Sequence, residues 1–152
     1  MSTRITDIHT AIYTLVAAAL PDHTELYKPS VIDSVEDALL DKSYGIVIGP
    51  ASNTKRFVSC DNYSVRRDVV ILNTITIYGA DLDETIRKNA EKELLENQIK
   101  ILRAAQNNVT LTGLVSKFDF ENDNGLEFIF TDETDNIMLQ STYSFEYIEN
   151  IT

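Results

Sequence analysis

The chain has 152 residues, the length of one ordinary domain, and a globular chain of this size buries roughly 68–70% of its unfolded surface, enough for one core. With 43% hydrophobic and 24% charged residues it is no disordered chain, and 5 Gly with 3 Pro leave little material for a long linker. Asp and Glu number 24 against 13 Lys and Arg, so the formal charge of −11 opposes broad adhesion to nucleic acid or to anionic membranes.

The first element is an amphipathic helix: Ile5, Ile8, Ile12, Leu15, Val16 and Ala19 fall at helical spacing, and Pro21 closes the run. Tyr27, Pro29 and Val31 then suggest an extended piece. "SVEDALLDK" predicts a short helix within Ser30 to Lys42, with Ser34 as its cap and Asp37 at the third helical position. "YGIVIGP", Tyr44 to Pro50, is a compact aliphatic strand ended by Gly and Pro, followed by a polar loop, with a further strand resuming near Phe57.

Between Val65 and Tyr78 a long strand is expected. Its odd positions carry Val69, Ile71, Ile75 and Ile77, and its even positions mix Arg66, Asp68, Thr74 and Thr76 with Val70, Leu72 and Tyr78. One face is core and the other is half apolar. Asp81 and Glu84 have capping-box spacing and open a second helix, whose stripe of Ile86, Ala90, Leu94, Ile101 and Ala105 is thickened by Leu95 and Leu102 and ends at Asn107–Asn108. Strands follow from Leu111 to Phe120, Leu126 to Thr131 and Ile137 to Ile148. Asn124-Gly125 between the first two signals a type I′ hairpin. The last strand alternates cleanly, with Ile137, Leu139, Tyr143, Phe145 and Tyr147 on one side. The expectation is a single α+β domain over 1–152, in the order α-β-β-α-β-β-β, with a mainly antiparallel sheet and both long helices on one of its faces.

Chemistry is thin along this chain. His9 and His23 lie too far apart for a paired metal motif on one helical face and read as surface or capping histidines. Cys60 stands alone, which excludes an internal disulfide, fits a reducing compartment and reads as a small hydrophobe. The acidic turn "DFENDNG", counted from Asp119 as a calcium loop, puts Asn124 where Gly is required at position 6 and Phe130 where Glu is required at position 12. Neither a phosphate-binding glycine motif nor a nucleophile or metalloprotease motif occurs, so no catalytic residue, metal or cofactor is expected. The run Leu15 to Leu20 is too short to cross a bilayer and lacks a basic leader, so the chain is expected to be made in the cytoplasm.

Lys55, Arg56, Arg66 and Arg67 gather basic charge on an acidic chain. They suggest a charge-complementary contact with an acidic surface of an identical subunit. Taken with "ITDIHTAIYTLVAAALPD" at the start, "RRDVVILNTITIYG" running into "ETIRKNAEKELLENQIKILRAAQN", and the closing "LQSTYSFEYIEN", the pattern resembles the tail terminator proteins of long-tailed bacteriophages. That resemblance implies a non-enzymatic virion protein made in the bacterial host cytoplasm. It would form a homo-oligomeric ring, typically hexameric, that ends the tail tube and joins it to the head connector while DNA passes without specific binding. Arg66, Arg67, Val70, Leu72 and Tyr78 are then the candidate subunit interface. A cytoplasmic module binding a small ligand or peptide, and a small enzyme, are the alternatives.

Overall fold

A computed structural model of the chain describes residues 3–26, 32–35, 38–53, 62–78, 84–131 and 133–150. The elements run α1 (Arg4–Ala19), β1 (Thr24–Glu25), β2 (Ile32–Val35), β3 (Ala38–Asn53), β4 (Asn62–Tyr78), α2 (Glu84–Asn107), β5 (Lys117–Phe130) and β6 (Thr134–Asn150). One sheet has the strand order β1-β3-β4-β6-β5, with β2 also paired to β3. Every pairing is antiparallel except the two-residue contact of β1 with β3. The α+β class and the antiparallel sheet are as the sequence predicts.

Local sequence explains the helices. Thr3 and Thr6 form a reciprocal capping box that satisfies two of the orphan N–H groups at the start of α1, while Ile8, Ile12, Leu15 and Val16 bury its stripe. In α2 the stripe Ile86, Ala90, Leu94, Ile101 and Ala105 is buried as expected. Leu95 is not part of it and stands 46% exposed, and Asn97 takes a buried place in its stead. The expected cap at Asp81 lies outside the described residues.

Both helices pack on the same face of the sheet. In β4 the odd residues Val69, Ile71, Ile75 and Ile77 are buried, as period-two geometry requires, and they meet Ile8, Ile12, Ile101 and Leu94 in two apolar clusters. The first cluster joins α1 and the end of α2 to Tyr44, Ile71, Tyr143 and Phe145. The second joins the start of α2 to Ala38, Leu40, Ile75 and Ile137.

Three expectations give way. The short helix between Ser30 and Lys42 is instead strand: Ser34 lies in β2 and pairs with Leu39 of β3. Period-two burial replaces period 3.6 there, because Ala38 and Leu40 face the second cluster while Leu39 stays exposed. Asn124-Gly125 makes no hairpin either. The ladder pairs Asp123 with Ser141 and Leu126 with Leu139, so the two residues face Gln140 alone and form a bulge inside one strand. Only Gly125 has a positive φ, 72°, whereas a type I′ turn needs two such residues. The strand expected from Leu111 starts only at Lys117. Leu111, Thr112 and Gly113 take left-handed φ values of 47°, 62° and 87°, a tight turn that carries the chain from α2 to the sheet edge.

Candidate functional site

The even side of β4 is the one neither helix covers. Register places Val47, Val70 and Thr142 in one cross-strand row, then Gly45, Leu72 and Gln140, then Ser43, Thr74 and Met138. Further along, Asp41, Thr76 and Asn136 share a row, and Leu39 lies opposite Tyr78. Val47 is 61% exposed and Ile129, opposite Asn136, is 51% exposed. Val70, Leu72 and Tyr78 are half-buried. A continuous apolar and threonine-lined surface thus runs along the centre of an acidic molecule, the kind of patch that marks contact with another surface. Asp68 and Glu146 border it at one end and Asp41 at the other.

The two arginines of the candidate interface do not act together. Successive residues of a strand point to opposite faces, so Arg66 lies on the uncovered face and Arg67 on the helix side. Arg66, its side chain 40% exposed, reaches Glu121 at 3.4 Å and Asp68 at 3.7 Å. Arg67 is half-buried: its Nε donates to the Tyr147 hydroxyl at 3.1 Å and its Nη1 to the Gly49 carbonyl at 3.2 Å. Its partner Gly49 sits where the β3–β4 register shifts, and a Cβ there would meet the Asp68 carbonyl at 2.8 Å. The structure therefore brings Arg66, Val70, Leu72 and Tyr78 onto one surface and assigns Arg67 to internal packing. Lys55, Arg56 and Cys60 lie outside the described residues.

Sequence reasoning missed a polar belt across the covered face. The buried Asn97 of α2 donates from Nδ2 to Asn73 Oδ1 at 3.0 Å, and that same Nδ2 lies 3.2 Å from His23 Nε2. Asn73 donates in turn to the Ser43 carbonyl at 3.0 Å. Beside this chain Lys42 pairs with Glu93 at 2.9 Å, and Gln98 donates to Ser141 and Asp123. The belt lies between the two apolar clusters. Its signal was present in the sequence, for Asn73 stands in the odd series of β4 and Asn97 falls between Leu94 and Ile101 on the buried stripe.

His23 is accordingly not the surface histidine its context suggests. Burial lowers its pKa, Glu93 and Asp22 act the other way, and Lys42 and Lys100 reinforce the lowering. With Asn97 donating, Nε2 is the acceptor, which leaves the proton of the neutral ring on Nδ1, a buried atom without a partner among the described residues. His9 is exposed and tilts against Tyr13 at a ring separation of 4.8 Å. Tyr143, buried between Phe118 and Phe120, has its hydroxyl pushed up to about 12 by burial. No group of three or more His, Cys, Asp or Glu able to hold a metal ion occurs among the described residues. A shallow cleft of about 480 Å³ lies between the Gly113–Ser116 turn and the end of β6, lined among others by Arg4, Glu146 and Ile148. Among the described residues no helix is long and apolar enough to cross a membrane.

Comparison with known proteins returns no matching family model and no matching curated relative.

Proposed function

We propose that this protein is a structural subunit that works by self-association, forming a ring that ends a phage tail tube and joins it to the head connector. The observation that supports this reading is the uncovered sheet face, where Val47, Val70, Leu72 and Tyr78 line the centre of a chain whose formal charge is −11. An acidic chain of this kind keeps apolar surface in water when something else covers it in use. The resemblance to tail terminators supplies what that something is: the next copy in a closed, typically hexameric ring. A ring needs a heterologous contact, in which two different patches of one subunit meet, and it closes when the rotation between neighbours divides the circle. In this reading the protein is no enzyme, its partners are the tube and the connector, and its acidity lets DNA pass because like charge removes the counterion-release gain behind adhesion.

The test is electron microscopy of the purified protein and of phage particles made with and without it. The expected result is rings of uniform diameter and, in the protein's absence, tails and heads that fail to join. A protein that never enters a particle would overturn the proposal. The cleft beside Arg4 favours a second reading, a peptide-binding module, which a soluble protein that stays monomeric and captures an extended peptide in that cleft would support.

A further inference from the structure

The outward side of α2 carries a second stripe that the core does not use. Lys88, Lys92, Leu95, Ile99 and Arg103 recur at steps of four, three, four and four residues, and all five are exposed. They lie opposite the buried stripe of Ile86, Ala90, Leu94 and Ile101, so they face directly away from the sheet. Leu95 and Ile99 are 46% and 43% exposed, two large aliphatic side chains one turn apart at the middle of the stripe. The exposed positions of α2 bear Lys88, Lys92, Lys100 and Arg103 against Glu84 and Glu96, a basic excess on an acidic protein. Of these, Lys88 is held by Glu84 at 3.0 Å.

The uncovered sheet face has the inverse pattern. Val70 and Leu72 lie at its centre, with Asp68 and Glu146 beyond one end and Asp41 toward the other. Arg66 and Lys117 are the cations there among the described residues, and their pairs with Asp68, Glu121 and Asp119 leave the surroundings acidic. The dimensions agree: Lys88 to Arg103 spans about 22 Å of helix at 1.5 Å per residue, and Asp68 to Thr76, the row of Asp41, spans about 26 Å of strand at about 3.3 Å per residue.

We infer that the outer stripe of α2 in one copy seats on the uncovered sheet face of the next. Leu95 and Ile99 would lie against Val70 and Leu72, and the flanking bases would lie against Asp41 and Asp68. Because α2 covers one face of the sheet, its outer side and the uncovered face are on opposite sides of the subunit. The contact is therefore heterologous and runs head to tail, helix layer onto sheet layer, and no chain can make it with itself. Charge sets the register along the helix, and the apolar centre supplies burial. The inference rests on the ring reading, and it names the surfaces that would meet.

Cysteine cross-linking tests it. In a Cys60→Ser chain, Leu72→Cys and Ile99→Cys are introduced separately and together, and oxidised products are read by mass at rising concentration up to the solubility limit. The expected result is a ladder at multiples of 17.1 kDa from the double variant and none from either single variant. A dimer from Leu72→Cys alone, a dimer from Ile99→Cys alone, or no linked product from any of them overturns the docking. Should the Cys60→Ser chain fail to fold, charge reversal gives the second arm. Lys92→Glu with Arg103→Glu is expected to abolish assembly, and adding Asp41→Lys with Asp68→Lys to restore it. Failure of that restoration overturns the docking as well. The two readings separate cleanly: a ladder without an upper limit keeps the docking and removes the ring, and closed rings without the cross-link do the reverse.

Discussion

Residues 71 and 72 are neighbours in one strand and live in different worlds. Ile71 is 1% exposed, packed beneath α1 and α2 with the largest side chains of the core, while Leu72 sits on the other face in a row with Gly45 and Gln140 that neither helix covers. On the covered side, polar atoms are tied into a belt and the cations are partnered: Arg67 by a hydroxyl and a carbonyl, Lys42 by Glu93 and Arg87 by Asp135. On the uncovered side apolar and acidic groups lie side by side. The covered face closes its apolar and polar groups within the chain, whereas the other face leaves Val47 and Ile129 exposed. Folding requires only one buried face of this sheet, so what the second face carries is free to serve contact with another molecule.

Alanine substitution breaks or confirms that contrast most strongly. Ile71→Ala is expected to cost about 2–5 kcal/mol of stability through lost burial and a residual cavity, whereas Leu72→Ala should cost well under about 1.5 kcal/mol in the isolated subunit. Urea unfolding of both variants reads the difference, and equal losses would mean that the second face is closed after all. Next in size is the belt: Asn97→Ala leaves Asn73 Oδ1 and His23 Nε2 without their donor in a buried place, for a loss of about 1–3 kcal/mol. Replacing Asn73 and Asn97 together by leucine should recover part of that loss, since two apolar partners leave fewer orphaned groups; a double variant worse than the sum of its singles would contradict the belt.

The two arginines sharpen the comparison at a smaller scale. Arg67→Ala removes charged hydrogen bonds to Tyr147 and Gly49 and should cost about 1.5–3 kcal/mol. Arg66→Ala loses only solvent-screened pairs, worth about 0.2–1 kcal/mol. Thermal or urea midpoints that rank them the other way would reverse their assigned faces.

The smallest effect is a pH dependence confined to the covered side. Burial holds the His23 pKa below its ordinary 6.5, so the unfolded chain takes up the proton first. Neutral His23 contributes its stability fully above pH 6.5, and that contribution is lost as pH falls from 6.5 through the lower value in the fold. His23→Gln should flatten this part of the stability profile; an unchanged slope would remove His23 from the belt.

Much of this fold can be read from residue spacing, because Ile71, Ile75 and Ile77 at period two and Ile86, Ala90 and Leu94 at helical period state which side each element buries. The region around Ser34 misled because a cap-like residue followed by acids and leucines suits a helix start, and the pairing of Ser34 with Leu39 overrides that local preference. Asn124-Gly125 misled in a similar way: the dipeptide permits a turn, but continuous pairing of β5 with β6 on both sides absorbs it as a bulge. Of the candidate interface, Val70, Leu72 and Tyr78 were legible because they share parity. Arg67 has the opposite parity to Arg66, and the alternation that identifies the apolar residues also separates the two arginines. The belt escaped notice because an asparagine reads as surface until a core position on a facing element carries another.

Leu72→Glu decides whether the uncovered sheet face is an assembly surface. A carboxylate placed there meets water in the free subunit but would be buried unpaired in an assembled one. Sedimentation of the wild-type protein and of this variant, alongside their urea midpoints, is the measurement. The predicted result is an assembled wild type at a multiple of 17.1 kDa and a variant that stays monomeric with its unfolding midpoint within the range of a surface change. A variant that assembles as wild type does, or a wild type that remains monomeric at every concentration and in the particle, would contradict that role for the face.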